Sequence, residues 1–223
     1  MQSDRLVNVG LVRLTLKTCL LAFVAWVGAL IYLSILTYFP PQFAHGFLRG
    51  RQAYFYGWYG VAFYAHIISA PAVLLLGLVQ SIAWVRTRYP AIHRKLGLLY
   101  VWVALIFAMP SGLVMSLKTT GGISAALPFA ILGIATIYST TLGLISAQRC
   151  RYIQHQRWMT RSFLLMGSAV TLRMLAETVT YLQLGTYFSY GTLAWLSWVP
   201  ALAFYEVCLV YRRRVFMNRL SDT

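Results

Sequence analysis

The chain has 223 residues, of which 60% are hydrophobic and 10% charged, against about 25% charged in an average soluble domain. Nineteen Lys and Arg face four Asp and Glu, for a net charge of +15, and in so apolar a chain that excess suggests lipid interfaces rather than nucleic acid. A soluble hydrolase, a Rossmann enzyme and a disordered tail are excluded.

Crossing a bilayer takes about 20 largely apolar residues. Arg5 and Arg13 precede the first such stretch, Leu16 to Phe39, in the manner of a signal peptide. The run from Cys19 to Phe39 is uncharged and holds no convincing small-residue cleavage site, so it reads as a retained first helix. Pro40-Pro41 ends it, and the second stretch runs from Trp58 to Trp84. The segment Arg86 to Lys95, with Pro90, separates it from the third, Leu96 to Leu117. Gly121-Gly122 precedes the fourth, Ala125 to Ala147, and the basic run Arg149 to Arg157 precedes the fifth, Trp158 to Leu184. Gly185 to Gly191 leads into the sixth, Thr192 to Tyr211. The short connections and the absence of an internal repeat predict one all-α integral membrane domain over residues 1–223, a polytopic transmembrane bundle of six helices. Its partner is the lipid bilayer, with no nucleic acid. Cys19, Cys150 and Cys208 form neither a disulfide framework nor a CxxC motif and read as small hydrophobes.

Basic residues alternate sides under this reading. The N-terminus (Arg5, Arg13, Lys17), the second connection (Arg86, Arg88, Arg94, Lys95), the fourth (Arg149, Arg151, Arg157, with Arg161) and the tail (Arg212, Arg213, Arg214, Arg219) share one side. Arg49, Arg51 and Lys118 lie on the other, and Arg173 lies within a span. By the positive-inside rule both termini are expected in the cytoplasm. Trp58, Tyr59, Trp84, Tyr89 and Trp158 fit interfacial belts.

Polar residues inside the spans mark candidate sites, since an ionisable group at the bilayer centre costs a few kcal/mol and must face the bundle interior or a wet cavity. The acids in the body of the chain are Glu177 and Glu206, both within spans. Arg173 and Glu177 stand at i and i+4 and are expected to pair, either as a structural ion pair or within an outward-facing site. On the second helix His66, Val73, Gly77 and Gln80 share a narrow arc at 100° per residue. His66, Gln80, Arg173, Glu177 and Glu206 therefore form a candidate intramembrane polar set. On the third helix Gly97, Tyr100, Ala104, Ala108 and Ser111 continue the line of His93 as a small-residue packing face.

A second cluster, His93 and Arg94 with His155, Trp158 and Arg161, stands at the starts of the third and fifth helices. It suits haem propionates, a quinone head or a phosphorylated substrate, or else is the basic collar of positive-inside topology. The histidines divide two and two across the membrane, so His93, His155, His66 and His45 are candidate metal or haem b ligands. Solvated or lipid-facing imidazoles are the structural alternative.

These residues resemble a bacterial family of predicted membrane proteins known as domain of unknown function 2306. The resemblance rests on His66, Gly77-x-x-Gln80, Pro90-x-x-His93-Arg94-x-x-Gly97-x-x-Tyr100, His155-x-x-Trp158-Met159-x-Arg161 and Thr171-Leu172-Arg173, from about Tyr54 to Glu177. Gln156-Arg157 departs from the doubly basic start that the resemblance implies. It implies a bacterial inner-membrane location and no reaction. Three readings stand: a redox protein with a b-type haem or metal site, a small-solute or ion transporter, and a membrane-embedded enzyme acting on a lipid or quinone. No zincin, kinase, rhomboid-like or paired-carboxylate motif is present.

Overall fold

Lipid offers no hydrogen bonds to a peptide group, so an apolar chain must satisfy its N–H and C=O groups within helices or a closed barrel. Helix accounts for 83% of the computed structural model, with no strand among the described residues. Those residues are 14–15, 18–19, 21–23, 25–26, 28–30, 32–44 and 46–221, without the side chains of 215–221. His45 lies outside them.

Six helices are long and apolar enough to cross a membrane: α1 (Leu21–Tyr38), α2 (Gln52–Ser81), α3 (Pro90–Ser116), α4 (Ile123–Gln148), α5 (Tyr152–Tyr181) and α6 (Tyr190–Arg214). The chain is thus a polytopic helical membrane protein. α2, α3 and α5 begin about six residues before the boundaries expected from hydropathy. Their first turns carry polar or charged side chains such as Arg94, Lys95 and Arg157, which lower hydropathy without opposing helix formation. Pro90 occupies the first turn of α3, where its missing N–H removes no helical bond. Between α2 and α3 the expected loop is largely helical. Ile82 is extended, and Ala83–Arg88 forms a short helix of its own.

Two wide turns interrupt the regular geometry. Phe55–Tyr59 in α2 is kinked at Tyr56 and Gly57. Ala104–Ala108 in α3 is a π turn lying just before Pro110. A proline ring collides with the carbonyl four residues back, here Ile106, and a wider turn relieves that clash. Pro71 and Pro128 are buried inside α2 and α4.

Small side chains let the helices approach. Gly77 of α2 packs on the Phe163 and Tyr100 rings, Gly133 of α4 on Leu113, and Gly143 of α4 on Met159. At the α2–α3 crossing Gln80 Nε2 donates to the His93 carbonyl at 3.0 Å, with Gly97 beside the same amide. The hydrophobic centre gathers Val73, Tyr100, Val101, Ala104, Ala108, Met109 and Met166. Through it runs a chain of fully buried hydroxyls. Tyr100 Oη lies 2.8 Å from Ser162 Oγ, Ser162 Oγ lies 2.7 Å from Thr140 Oγ1, and Thr140 donates to the Thr136 carbonyl at 2.7 Å. With Thr140 committed as donor to a carbonyl, Ser162 donates to Thr140 and Tyr100 to Ser162, so each hydroxyl is satisfied across three helices.

These contacts predict unequal tolerance of two glycines. A Cβ on Gly77 would enter the Phe163 ring, whereas one on Gly97 would stand 3.5 Å from the Gln80 amide, an ordinary contact. Gly77→Ala should therefore lower stability by about 1–3 kcal/mol, and Phe163→Leu in the same chain should recover part of the loss. Gly97→Ala should stay close to wild type in the same thermal melts in lipid. Equal melts for the two single variants would refute the packing described.

Candidate functional site

The bundle has two chemically different ends. One carries the 82–89 and 149–151 connections and most of the described Lys and Arg. In the half nearer the opposite end a cavity of about 330 Å³ opens between the helices, within the size range of small-molecule sites.

All six helices contribute to it. Ser34 and Tyr38 come from α1, His66 from α2, Gly112 from α3, Thr136 from α4, Arg173 from α5 and Tyr190 from α6. Most of the remaining wall is apolar, including Leu74, Met109, Leu165 and Met166. At about 1.5 Å per residue, Arg173 lies roughly 12 Å from the end of α5 and His66 roughly 14 Å along α2 from its kink at Gly57, and Leu74 and Leu165 lie about 12 Å deeper. The ionisable groups therefore sit nearer the mouth, and the wall around Leu74 and Leu165 holds none.

The π turn of α3 orients His66. Its Nδ1 is 2.9 Å from the carbonyl of Ala108, the last residue of that turn. A carbonyl only accepts, so Nδ1 carries the hydrogen and the neutral ring leaves Nε2 as an acceptor at the cavity wall. Gly112 makes room for the ring, because a Cβ there would stand 3.0 Å from His66 Cε1. Ser111 Oγ donates to the carbonyls of Phe107 and Ala108 beneath it.

Arg173 does not pair with Glu177 as the i, i+4 spacing suggested. Its Nη1 donates to the Ala169 carbonyl at 3.1 Å, and the side chain lines the cavity with Tyr190. Glu177 is exposed and absent from the cavity wall. The four-residue spacing permits contact, but rotamer and burial decide it, and the Arg173 side chain is drawn back along its own helix. Among the described residues Arg173 has no acidic partner.

A second arginine is packed behind Phe47, which lines the wall. Arg51 is buried at 6% exposure, donates to the Phe47 carbonyl and to Thr120 Oγ1 at 2.8 Å, and lies over the Phe47 ring with 4.3 Å to its centroid. It ties the segment before α2 to the segment after α3. Sequence reading counted it only as an outer charge. The Thr120 partner, 69 positions away, left no local signal.

At the basic end the expected groupings are rearranged. Glu206 does not join Gln80 in a polar site, since Gln80 is engaged with the His93 carbonyl. It forms a two-bond ion pair with Arg161, Nε to Oε1 at 2.6 Å and Nη2 to Oε2 at 2.9 Å. The Arg161 guanidinium also lies over the Trp158 ring at 4.4 Å. Arg161 is thus occupied by protein and is not open to haem propionates or a phosphorylated substrate. Arg94 remains exposed. His155 Nδ1 is 2.8 Å from the Gly143 carbonyl, and His93 and His155 are near enough for the charge on one to act on the other. His93 Nδ1 is buried without a hydrogen-bond partner. No group of three or more His, Cys, Asp or Glu is placed to hold a metal among the described residues.

The chain belongs to the family described as predicted membrane protein (DUF2306), which matches residues 63–209. The match begins at 63 rather than 54 and runs past the expected end at 177 into α6, and so includes Glu206. No curated protein and no solved structure matches the chain.

The Arg161–Glu206 pair generates a direct expectation. Glu206→Met leaves a partly buried guanidinium unpaired and should cost about 1–3 kcal/mol, between the exposed and buried limits for ion pairs. Arg161→Met combined with Glu206→Met should recover most of it. Thermal melts of the two single variants and the double variant measure the coupling. Additive losses would show that the pair does not form.

Proposed function

We propose that this membrane protein binds a small, polar-headed molecule in the cavity between α1 and α6, in the manner of a transporter of small solutes or an enzyme acting on a lipid- or quinone-like compound. The observation that carries this reading is the cavity itself, with an imidazole and a guanidinium on a mostly apolar wall that also carries Tyr38, Thr136 and Tyr190. An ionisable group placed within a span without a structural ion pair is where a membrane protein handles a ligand. Arg161 has its acid; Arg173 does not. The apolar floor supplies affinity through burial, and the polar mouth supplies orientation.

Orientation in the membrane follows from charge. We place the basic end and both termini in the cytoplasm of a bacterial inner membrane, so that the cavity opens toward the outer face.

A second reading, redox chemistry at a b-type haem, is favoured by the meeting of His93 and His155. Fixing Nδ1 of His155 on the Gly143 carbonyl leaves Nε2 available as a metal ligand. His66 has the same tautomer but stands in the cavity, separate from that pair.

One preparation tests both readings. Ala169 lines the cavity one turn before Arg173, and Ala169→Trp should fill it without touching either ion-pair partner. Mass spectrometry of organic extracts should find a compound in the purified wild type that the folded variant lacks, whereas identical extracts would refute the cavity reading. An absorption spectrum of the same wild-type sample decides the haem reading: a reducible Soret band abolished by His155→Ala would support it, and a colourless, metal-free protein from haem-supplemented cells would end it. For orientation, reporters after Thr223 and between Arg86 and Lys95 should register the cytoplasm, and one within residues 40–52 the far side. The reverse pattern would invert the assignment.

A further inference from the structure

The charge balance of the cavity narrows the ligand class beyond the general binding reading, on which this inference rests. Of the chain's four acids, Asp4 and Asp222 fall outside the described residues, Glu206 is held by Arg161 toward the basic end, and Glu177 is exposed and off the cavity wall. Arg173 lines the wall with only a backbone carbonyl as its hydrogen-bond partner. That bond uses one of five guanidinium donors, and the planar fork that remains matches an oxyanion such as a carboxylate or phosphate. Arg51, buried against Phe47 and Thr120 behind the wall, adds positive charge near the same end. Tyr190 and Tyr38 supply phenolic groups to the wall, and His66 supplies an imidazole opposite.

Below this layer the lining changes character. Leu74, Leu165 and Met166 form a floor without a charged group, about 10–12 Å deeper along the helices than His66 and Arg173. We infer that the cavity holds a single-chain anionic amphiphile, its carboxylate or phosphate head on Arg173 and its short hydrocarbon chain directed toward Leu165 and Met166. A volume of about 330 Å³ lies at the small end of ligand sites and suits one chain rather than a two-chain phospholipid. A cationic head would meet Arg173 with no acid among the described residues of the wall to offset it. A neutral head would leave the Arg173 fork without an oxyanion partner.

The test uses the full chain in phosphatidylcholine nanodiscs and decanoate carrying a terminal diazirine. Photolysis should label the α5 segment around Leu165 and Met166, identified by peptide mass spectrometry. Excess decanoate should suppress the labelling, while decanol and decyltrimethylammonium should not at equal membrane concentration. Competition by decyl phosphate as well would show that the site reads the oxyanion generally, and competition by decanoate alone would narrow the head to a carboxylate. Arg173→Met should reduce labelling by about tenfold or more, equivalent to about 1.4 kcal/mol, and Arg173→Lys should retain part of it. Should Arg173→Met fail to fold, Tyr190→Phe and the alcohol competition keep the inference exposed to failure. If decanol competes as well as decanoate while Ala169→Trp still abolishes labelling, the anionic class is wrong but the cavity binds. If Ala169→Trp labels like the wild type, the binding reading itself fails.

Discussion

Hydrocarbon does not solvate polar groups, and that constraint governs where each polar side chain of this bundle can rest. Most hydroxyls, imidazoles and charges within a span find a partner inside the protein or open onto a cavity. The Tyr100–Ser162–Thr140 chain shows the first solution, in which three helices satisfy one another and the last donor ends on the Thr136 carbonyl. Arg161 and Glu206 show it for charges. Arg173 shows the second solution, since its helix gives it one carbonyl and the bundle gives it a cavity. The contrast between these two arginines on one helix is what marks the cavity as the candidate site.

The cavity depends on local irregularities that a regular helix would not provide. Pro110 forces the wide turn Ala104–Ala108, and its last carbonyl, at Ala108, holds His66. Two residues after the proline, Gly112 leaves the space that the imazole ring of His66 fills. Sequence, backbone geometry and tautomer are thus linked in one short stretch, and the acceptor nitrogen of His66 at the cavity wall follows from them.

Much of the fold is legible in the sequence because bilayer thickness imposes a length and composition on every span. The six helices and their order follow from that rule, and the inward placement of Val73 and Gly77 follows from helical periodicity. Helix starts were less legible, since hydropathy falls at Arg94, Lys95 and Arg157 before the helix itself ends. Side-chain pairing was least legible. The Arg173 and Glu177 spacing offered a local partner, yet the pair that forms joins Arg161 to Glu206, 45 positions apart. Local periodicity places residues on a face; it does not say which neighbouring helix meets that face.

Motif residues of the DUF2306 family also divide by what they touch. Gly77, Gln80, Gly97 and Tyr100 are explained by packing at the α2–α3 crossing and by the buried hydroxyl chain. Trp158 and Arg161 are explained by the Glu206 pair and the ring stacked on it. His66 and Arg173 keep hydrogen-bonding capacity after their contacts with the protein are counted and stand on the cavity wall, whereas His93, whose Nδ1 is buried without a partner, stands away from it. That capacity, on the wall of a cavity with an apolar deeper part, is what the proposed binding of a polar-headed ligand would use.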